Sequence, residues 1–377
     1  MQRNIASIFA QFNTGTRLKS HQHFGSGHIN DTILVKTLGA SDPDFVLQLV
    51  NHHIFKDVPG LMHNIAIVTD FIRNYLKDIP GSDPDSEVLT LIKTHEGKAF
   101  SKDEKGNYWR CYLYIPDTIS YDRVDSEDKA REGGRIFGKF QSILSGLDAK
   151  LLSETIPHFH DLEKRLETFR NTIKRNPVNR VELVTDEIRF VEERAEELLS
   201  ITRKINNGEI PIRITHNDTK FNNILFDKES HAQCIVDLDT VMPGSVLHDF
   251  GDAIRTAANT AVEDETDLSK ISLDLKLFKA YSTGYMSEAH LFLTNAEIEN
   301  LALSSKFMVL IIGLRFLTDY IDGDNYFKVQ HPEHNLQRCR AQFQLVRSIE
   351  SQFEEMKIVI SKLAVQYSTA IDLISGE

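Results

Sequence analysis

The sequence predicts an α+β fold, with a small β-rich N-terminal part over residues 1–116 and a larger, mainly helical part over 117–377. Three observations predict it. Short runs of β-branched and aromatic residues, separated by Gly, Pro, Asn and Asp, crowd the N-terminal part. Beyond about residue 121, apolar residues instead recur at spacings of three and four. One stretch, 214–239, interrupts that helical pattern and reads strand, loop, strand, turn, strand. A chain of 377 residues is long enough to give each part its own core.

In chain order, residues 23–35 place Gly25, Ser26 and Gly27 in a turn between two strand-like runs, a hairpin able to cover phosphates with backbone N–H groups. The next strand is 45–50. Residues 58–75 have helical spacing, with Leu61, Ile65, Val68, Ile72 and Tyr75 on one face and Pro59-Gly60 at the start. The runs 88–93 and 108–115 read as paired strands around a turn at 103–107, and Tyr108, Trp109, Tyr112 and Tyr114 read as core aromatics. Ile115-Pro116-Asp117 then forms the expected hinge. In the helical part, Ile136, Phe137, Phe140, Ile143, Leu144 and Leu147 mark an amphipathic face. His158 and His160 lack a third nearby metal ligand and read as a polar loop. The periodic segments 181–198 and 346–363 fit packing inside a helical unit, with a coiled-coil dimer as the other use of that pattern. The polar stretch 315–328 follows an apolar helix and mixes Arg, Tyr and Asp, a composition suited to hydroxyl groups and a sugar ring.

The 214–239 stretch carries the chemistry. His216-x-Asp218 is followed by Asn223 five residues after the Asp, and Asp237 stands in the apolar run 235–238. A carboxylate in a buried strand is costly unless it is paired or binds a metal. The spacing suits phosphoryl transfer from ATP: Asp218 as the base that positions a hydroxyl, His216 packing to hold the loop, and Asn223 and Asp237 as oxygen ligands for Mg²⁺. Asp239 fits a second metal, the substrate or the loop. Asp249 is expected to cap a helix over 250–258.

The strings 216–223, 235–239 (Ile-Val-Asp-Leu-Asp) and 248–250 (His-Asp-Phe) resemble the aminoglycoside phosphotransferase/choline kinase superfamily. That resemblance implies a protein-kinase-like two-lobe fold and an ATP-dependent small-molecule kinase. Asn217 stands where protein kinases carry the Arg that reads a phosphorylated activation loop. Within the superfamily, 215–223, 237–244, 27–32 and 326–328 most resemble the N-acetylhexosamine 1-kinase group. The resemblance implies the anomeric hydroxyl of an N-acetylhexosamine as acceptor, with Asn30, Asp31, Asp239, Arg315 and Tyr326 facing the sugar. It also exposes a departure: Gln48 occupies the strand position of the nucleotide-binding lysine, so either another cation serves the phosphates or nucleotide binding is weaker.

Composition narrows the alternatives. A net charge of −12, from 55 acidic and 43 basic residues, argues against non-specific binding to nucleic acid or anionic membranes. Cys111, Cys234 and Cys339 are scattered, there is no run of 18 apolar residues, and the expected setting is the reduced cytoplasm, as monomer or homodimer. Residues 235–240 also satisfy an apolar-Asp-x-Asp-x-Thr hydrolase pattern, but late in the chain and with no use for His216, Asp218 and Asn223. Gln48 motivates a third reading, a non-catalytic binding protein. Choline, ethanolamine, homoserine and aminoglycosides are the alternative acceptors.

Overall fold

The computed structural model describes residues 4–25 and 29–375; Ser26 and Gly27 lie outside the described residues. The chain forms two compact units. One takes residues up to 119 together with 146–157 and 225–243; the other takes 120–145, 158–224 and the remainder from 244.

The first unit is built on an antiparallel sheet of six strands: β1 (Leu18–His23), β2 (Asp31–Thr37), β3 (Phe45–Val50), β4 (Leu91–Ile92), β5 (Ser101–Lys102) and β6 (Tyr108–Leu113). Its order is β1-β2-β3-β6-β4, with β5 beside β6. The helices α1 (Ile5–Phe9), α2 (Val58–Lys77) and α3 (Pro84–Glu87) complete it. Period-two alternation sorts the sheet into faces. Ile33, Val35, Phe45, Leu47, Trp109 and Cys111 pack with Ile5, Ile8, Phe9 and Phe12. The intervening residues of β6, Arg110 and Tyr112, are buried too. On α2, Leu61, Met62, Ile65, Val68 and Ile72 form the buried stripe, but Tyr75 is 47% exposed because it falls off the packed face in the last turn. Asn64, fully buried on α2, donates to the carbonyls of Ser153 (2.8 Å) and Val241 (2.9 Å), tying both later segments to this unit.

The 103–107 turn joins β5 to β6, so the expected long 88–93 strand is corrected. Only Leu91–Ile92 pairs with β6, opposite Tyr112 and Cys111. Asp103 fixes the turn by accepting from the backbone N–H groups of Lys105 and Asn107 and from the Trp109 indole.

The second unit holds α4 (Glu127–Leu144), α5 (Leu162–Arg175), α6 (Thr185–Asn206), α7 (Val246–Ala257), α8 (Leu275–Ala289), α9 (Asn295–Asp322), α10 (His334–Ser351) and α11 (Phe353–Ser375). Of the predicted apolar face, Ile136, Phe137, Phe140, Ile143 and Leu144 are buried on α4, where burying each large side chain stabilises by ~1.5–3 kcal/mol. Leu147 lies beyond the helix end and is half-buried. Helices α4 and α8 pack backbone against backbone. A Cβ on Gly134 would strike the Tyr281 carbonyl, and one on Gly284 would strike the Arg131 carbonyl. The periodic segment 346–363 is two helices broken at Gln352 rather than one, and Val346, Ile349, Met356, Ile360 and Leu363 are all buried within the chain. Helix α9 starts with a capping box between Thr294 and Glu297 and ends at Gly323, whose φ of 100° suits glycine. It is the one helix among the described residues long and apolar enough to cross a membrane, and 83% of that stretch is buried inside the protein, as in a core helix.

The α4–α8 contact makes a prediction. Gly284→Val should cost at least about 1–3 kcal/mol, the scale of core overpacking, and lower the thermal unfolding midpoint. A midpoint equal to the parent's would contradict the close approach.

Candidate active site

The 214–239 stretch folds as β7 (Arg213–Thr215), a loop ending in a single 3₁₀ turn at Phe221–Asn223, β8 (Ile224–Phe226) and β9 (Ala232–Ile235), followed by β10 (Met242–Gly244). Asp227 closes the turn after β8 by accepting from the backbone N–H groups of Glu229 and His231. His216, Asp218, Asn223, Arg315 and Tyr326 belong to the helical unit. Gly25, Asn30, Asp31, Gln48, Asp237 and Asp239 belong to the sheet unit.

The loop after β7 cannot join a strand ladder, so its backbone needs other partners. Asp249 supplies them. Its carboxylate accepts from the backbone N–H of His216 (2.9 Å) and of Asn217 (2.7 Å), and from the Gln141 amide (2.7 Å). The Tyr285 hydroxyl in turn donates to Gln141 at 2.5 Å. Asp249 is 2% exposed, and burial pushes its carboxyl above the usual range against the pull of His216 and these donors. This corrects the expected cap. The N-cap of α7 is Ser245, and Asp249 sits inside the first turn facing the loop.

His216 is fully buried, edge-on to Phe137 (5.8 Å) and Phe140 (6.1 Å), and its Nδ1 accepts from the Asp218 backbone N–H at 3.3 Å. Asn217 takes a left-handed conformation, φ 64°, which Asn tolerates better than bulkier residues. Asp218 is half-buried beside Lys220, with Nζ 3.1 Å from its carboxylate. Burial alone would raise its pKa, but Lys220 and His216 outweigh burial and hold it below the ordinary carboxylate range. The Asn223 amide nitrogen donates to the Asp218 carbonyl at 2.8 Å, which leaves the amide oxygen as the acceptor for a ligand.

Asp237 departs from expectation. Strand β9 ends at Ile235, so Asp237 is exposed rather than buried in a strand. What marks it is a left-handed backbone, φ 61° and ψ 54°, at the start of a 3₁₀ turn over Leu238–Thr240. Among the described residues no cluster of three or more His, Cys, Asp or Glu forms a metal cage. The Asp237 carboxylate and, in the other unit, the Asn223 amide oxygen are each the kind of hard oxygen ligand that Mg²⁺ takes beside waters and substrate phosphate oxygens.

Asp239 is buried and ion-paired with Arg110, and it accepts from the Asn30 amide at 2.6 Å. Asn30 accepts in turn from the Asn51 backbone N–H at 3.0 Å. Asp31 opens β2 and pairs with His23 of β1 at 2.8 Å. Gly25 has φ +80° at the hairpin turn. Gln48 lies opposite Thr32 on one neighbouring strand and Arg110 on the other.

In the helical unit, Arg315 lies over the rings of Phe159 (5.3 Å), Phe327 (5.5 Å) and Tyr326 (5.7 Å). Asp319 fixes the loop that presents Tyr326 by accepting from the backbone N–H groups of Asn325, Tyr326 and Phe327. His160 is corrected from an ordinary loop residue. It is buried, bonds the Asn217 carbonyl at 2.9 Å, and is pushed by burial down to about 3, hence neutral. His158 is exposed and pairs with Asp161. Sequence reasoning passed over Arg110, His160, Lys220 and the true work of Asp249. Only Lys220, inside the motif itself, carried a readable signal.

The molecule has a protein-kinase-like fold, seen in solved structures that align over most of its length. A spectinomycin phosphotransferase in complex with ADP and spectinomycin is 13% identical, with a TM-score of 0.57 over 94% of this chain and 99% of that one. A microcompartment-associated aminopropanol kinase is 12% identical, TM-score 0.56, over 94% and 98%. The Plasmodium vivax ethanolamine kinase is 12% identical, TM-score 0.55, over 86% and 82%. The family model of the phosphotransferase enzyme family (APH) matches residues 20–288, and the chain belongs to that family. It is an ATP-dependent phosphotransferase with an alcohol group as acceptor.

Two predictions concern the loop. Asp249→Ala removes three hydrogen bonds to a charged group, each worth about 1.5–3 kcal/mol, and should lower both kcat and the unfolding midpoint. Full kcat in a destabilised variant would separate Asp249 from the loop. Lys220→Met should raise the Asp218 pKa. A base works while ionised, so the acid limb of the kcat/KM profile should move to higher pH. An unmoved limb would show that Asp218 is not the group titrating there.

Proposed function

We propose that the enzyme transfers the γ-phosphate of ATP to the anomeric 1-hydroxyl of an N-acetylhexosamine, with Mg²⁺ held by Asn223 and Asp237. The observation that carries the acceptor class is the cluster around Arg315. Neither Arg315 nor Arg165 forms an ion pair with a carboxylate among the described residues. Their mutual repulsion adds to burial in pushing Arg165 down to about 10. The buried Arg165 Nε and His160 Nδ1 have no hydrogen-bond partner. This cluster reaches the catalytic loop through His160 and Asn217. Such a surface repels ammonium groups, which disfavours choline, ethanolamine and aminoglycosides. It suits an uncharged acceptor rich in hydroxyl and amide oxygens, with the Tyr326 ring, 64% exposed, as an apolar face. The motif resemblance to the N-acetylhexosamine 1-kinases supports the same choice.

In this reading Asp218 accepts the hydroxyl proton as the sugar oxygen attacks the γ-phosphate in line. The hydrogen bonds that His216 Nδ1 accepts from the Asp218 N–H and that Asp249 accepts from the His216 N–H hold the backbone that carries this carboxylate, and Lys220 keeps it ionised. Mg²⁺, when bound, neutralises charge on the phosphates. Arg315 and Tyr326 hold the ring, and the reading retains the cytoplasm as the setting.

The test is ADP release and product mass across N-acetylglucosamine, N-acetylgalactosamine, their unacetylated parents, choline, ethanolamine and kanamycin. A phosphorylated N-acetylhexosamine should form at least ~100-fold faster in kcat/KM than the cationic products. Asp218→Asn should lose about 10²–10⁴-fold in kcat with ATP affinity retained. Preference for choline or kanamycin would overturn the sugar assignment and leave the family untouched.

A further inference from the structure

The missing strand lysine leaves a vacancy at Gln48, and a closed ring of polar contacts in the sheet unit surrounds that position. Gln48 donates from its amide to Thr32 Oγ1 at 3.0 Å and accepts from Arg110 Nε at 2.9 Å. Arg110 pairs with Asp239, Asp239 accepts from Asn30, and Asn30 accepts from Asn51 N–H. Strands β2 and β3 close the ring, since Asn30 precedes Thr32 by two residues and Asn51 follows Gln48 by three. Gln48 therefore acts as a spacer that aims a guanidinium at the turn carrying Asp237 and Asp239. Arg110 is 1% exposed, and its guanidinium also lies over the Tyr112 ring.

A buried ion pair is a poor source of stability, because desolvation of both charges offsets their attraction and apolar replacements are often as stable. One that survives at a site edge calls for another use. The Asp237 turn supplies it: a left-handed non-glycine residue persists where surrounding contacts over-determine it, and the Asp239 clamp lies two residues on.

We propose that Arg110 is the positioning cation of this site: it locks Asp239 against Asn30, holds the turn that presents Asp237, and keeps Asp239 out of the metal's coordination shell. The turn then offers the metal one carboxylate where the sequence shows two. This rests on the phosphotransferase chemistry of the family and not on the identity of the acceptor.

Mn²⁺ binding to the full chain with ADP, counted by electron paramagnetic resonance, tests it without any acceptor, alongside thermal unfolding. Asp239→Asn should keep the parent's number of bound Mn²⁺ ions. Arg110→Met, which releases Asp239, should add a Mn²⁺ site or tighten the existing one by about tenfold. The paired neutral variant, Arg110→Met with Asp239→Asn, covers the case in which a lone buried charge prevents folding. It should unfold near the parent's midpoint yet bind Mn²⁺-ADP about tenfold more weakly, because the turn has lost its clamp. Loss of one Mn²⁺ in Asp239→Asn would make Asp239 a ligand and overturn the proposal. Parental Mn²⁺-ADP affinity in the paired variant would reduce the ion pair to packing and overturn it equally.

Discussion

A loop between strands cannot satisfy its own backbone, and in this protein buried carboxylates make up the difference. In the helical unit Asp249 takes the N–H groups of His216 and Asn217 at the base of the loop that carries Asp218, while its own carbonyl accepts from Thr219. In the sheet unit Asp239 does the corresponding work between Arg110 and Asn30. Both are acidic groups that neither bind metal nor move a proton in the proposed reaction. They fix the residues that do. Precise catalytic geometry needs this second layer, since a reacting group is only as well placed as the contacts that lock its rotamer and backbone.

The two carboxylates are supported by different means. Asp249 is held by hydrogen bonds from two backbone N–H groups and Gln141, with His216 nearby and Tyr285 continuing the chain. Asp239 has a guanidinium. The difference follows from position. Asp249 sits in the first turn of α7, where helix amides favour negative charge, whereas Asp239 lies in a single 3₁₀ turn. The buried carboxylate of that turn takes its cation from the sheet, where Arg110 stands on β6.

Local patterns carried much of this into the sequence. The α4 face, the hairpin of β1 and β2, the apolar stripe of α2 and the strand-loop-strand reading of 214–226 follow from periodicity and turn chemistry. The spacing of Asp218 and Asn223 pointed to the loop because the chemistry requires those residue types in one short segment. What stayed hidden was long-range. Asp249 reads as an N-cap because an acidic residue near a helix start has that use by default, and nothing local says that it faces a loop 33 residues earlier. Arg110 lies in an aromatic run whose burial was expected, but its partner is on a turn far along the chain. Asp237 misled in the other direction: an apolar run implied burial, yet the strand stops at Ile235 and a left-handed turn lifts the carboxylate out.

Charge distribution completes the argument about the acceptor. The protein carries net charge −12, so an unpaired pair of arginines is not a by-product of a basic surface. Arg165 is held in a buried setting that lowers its pKa, with its Nε lacking a partner, and His160 beside it is neutral with a bare Nδ1. A buried donor without a partner, such as Arg165 Nε, costs free energy that is recovered when a ligand brings an oxygen acceptor to it. His160, whose Nε2–H donates to the Asn217 carbonyl, instead presents Nδ1 as an acceptor for a hydroxyl. In the proposed reading a cationic acceptor would leave the Arg165 donor unmatched and meet repulsion from two guanidinium groups. An acceptor bearing several hydroxyls and an amide carbonyl, in the same proposed reading, matches these groups at no electrostatic cost, and polarity favours a sugar over the amines.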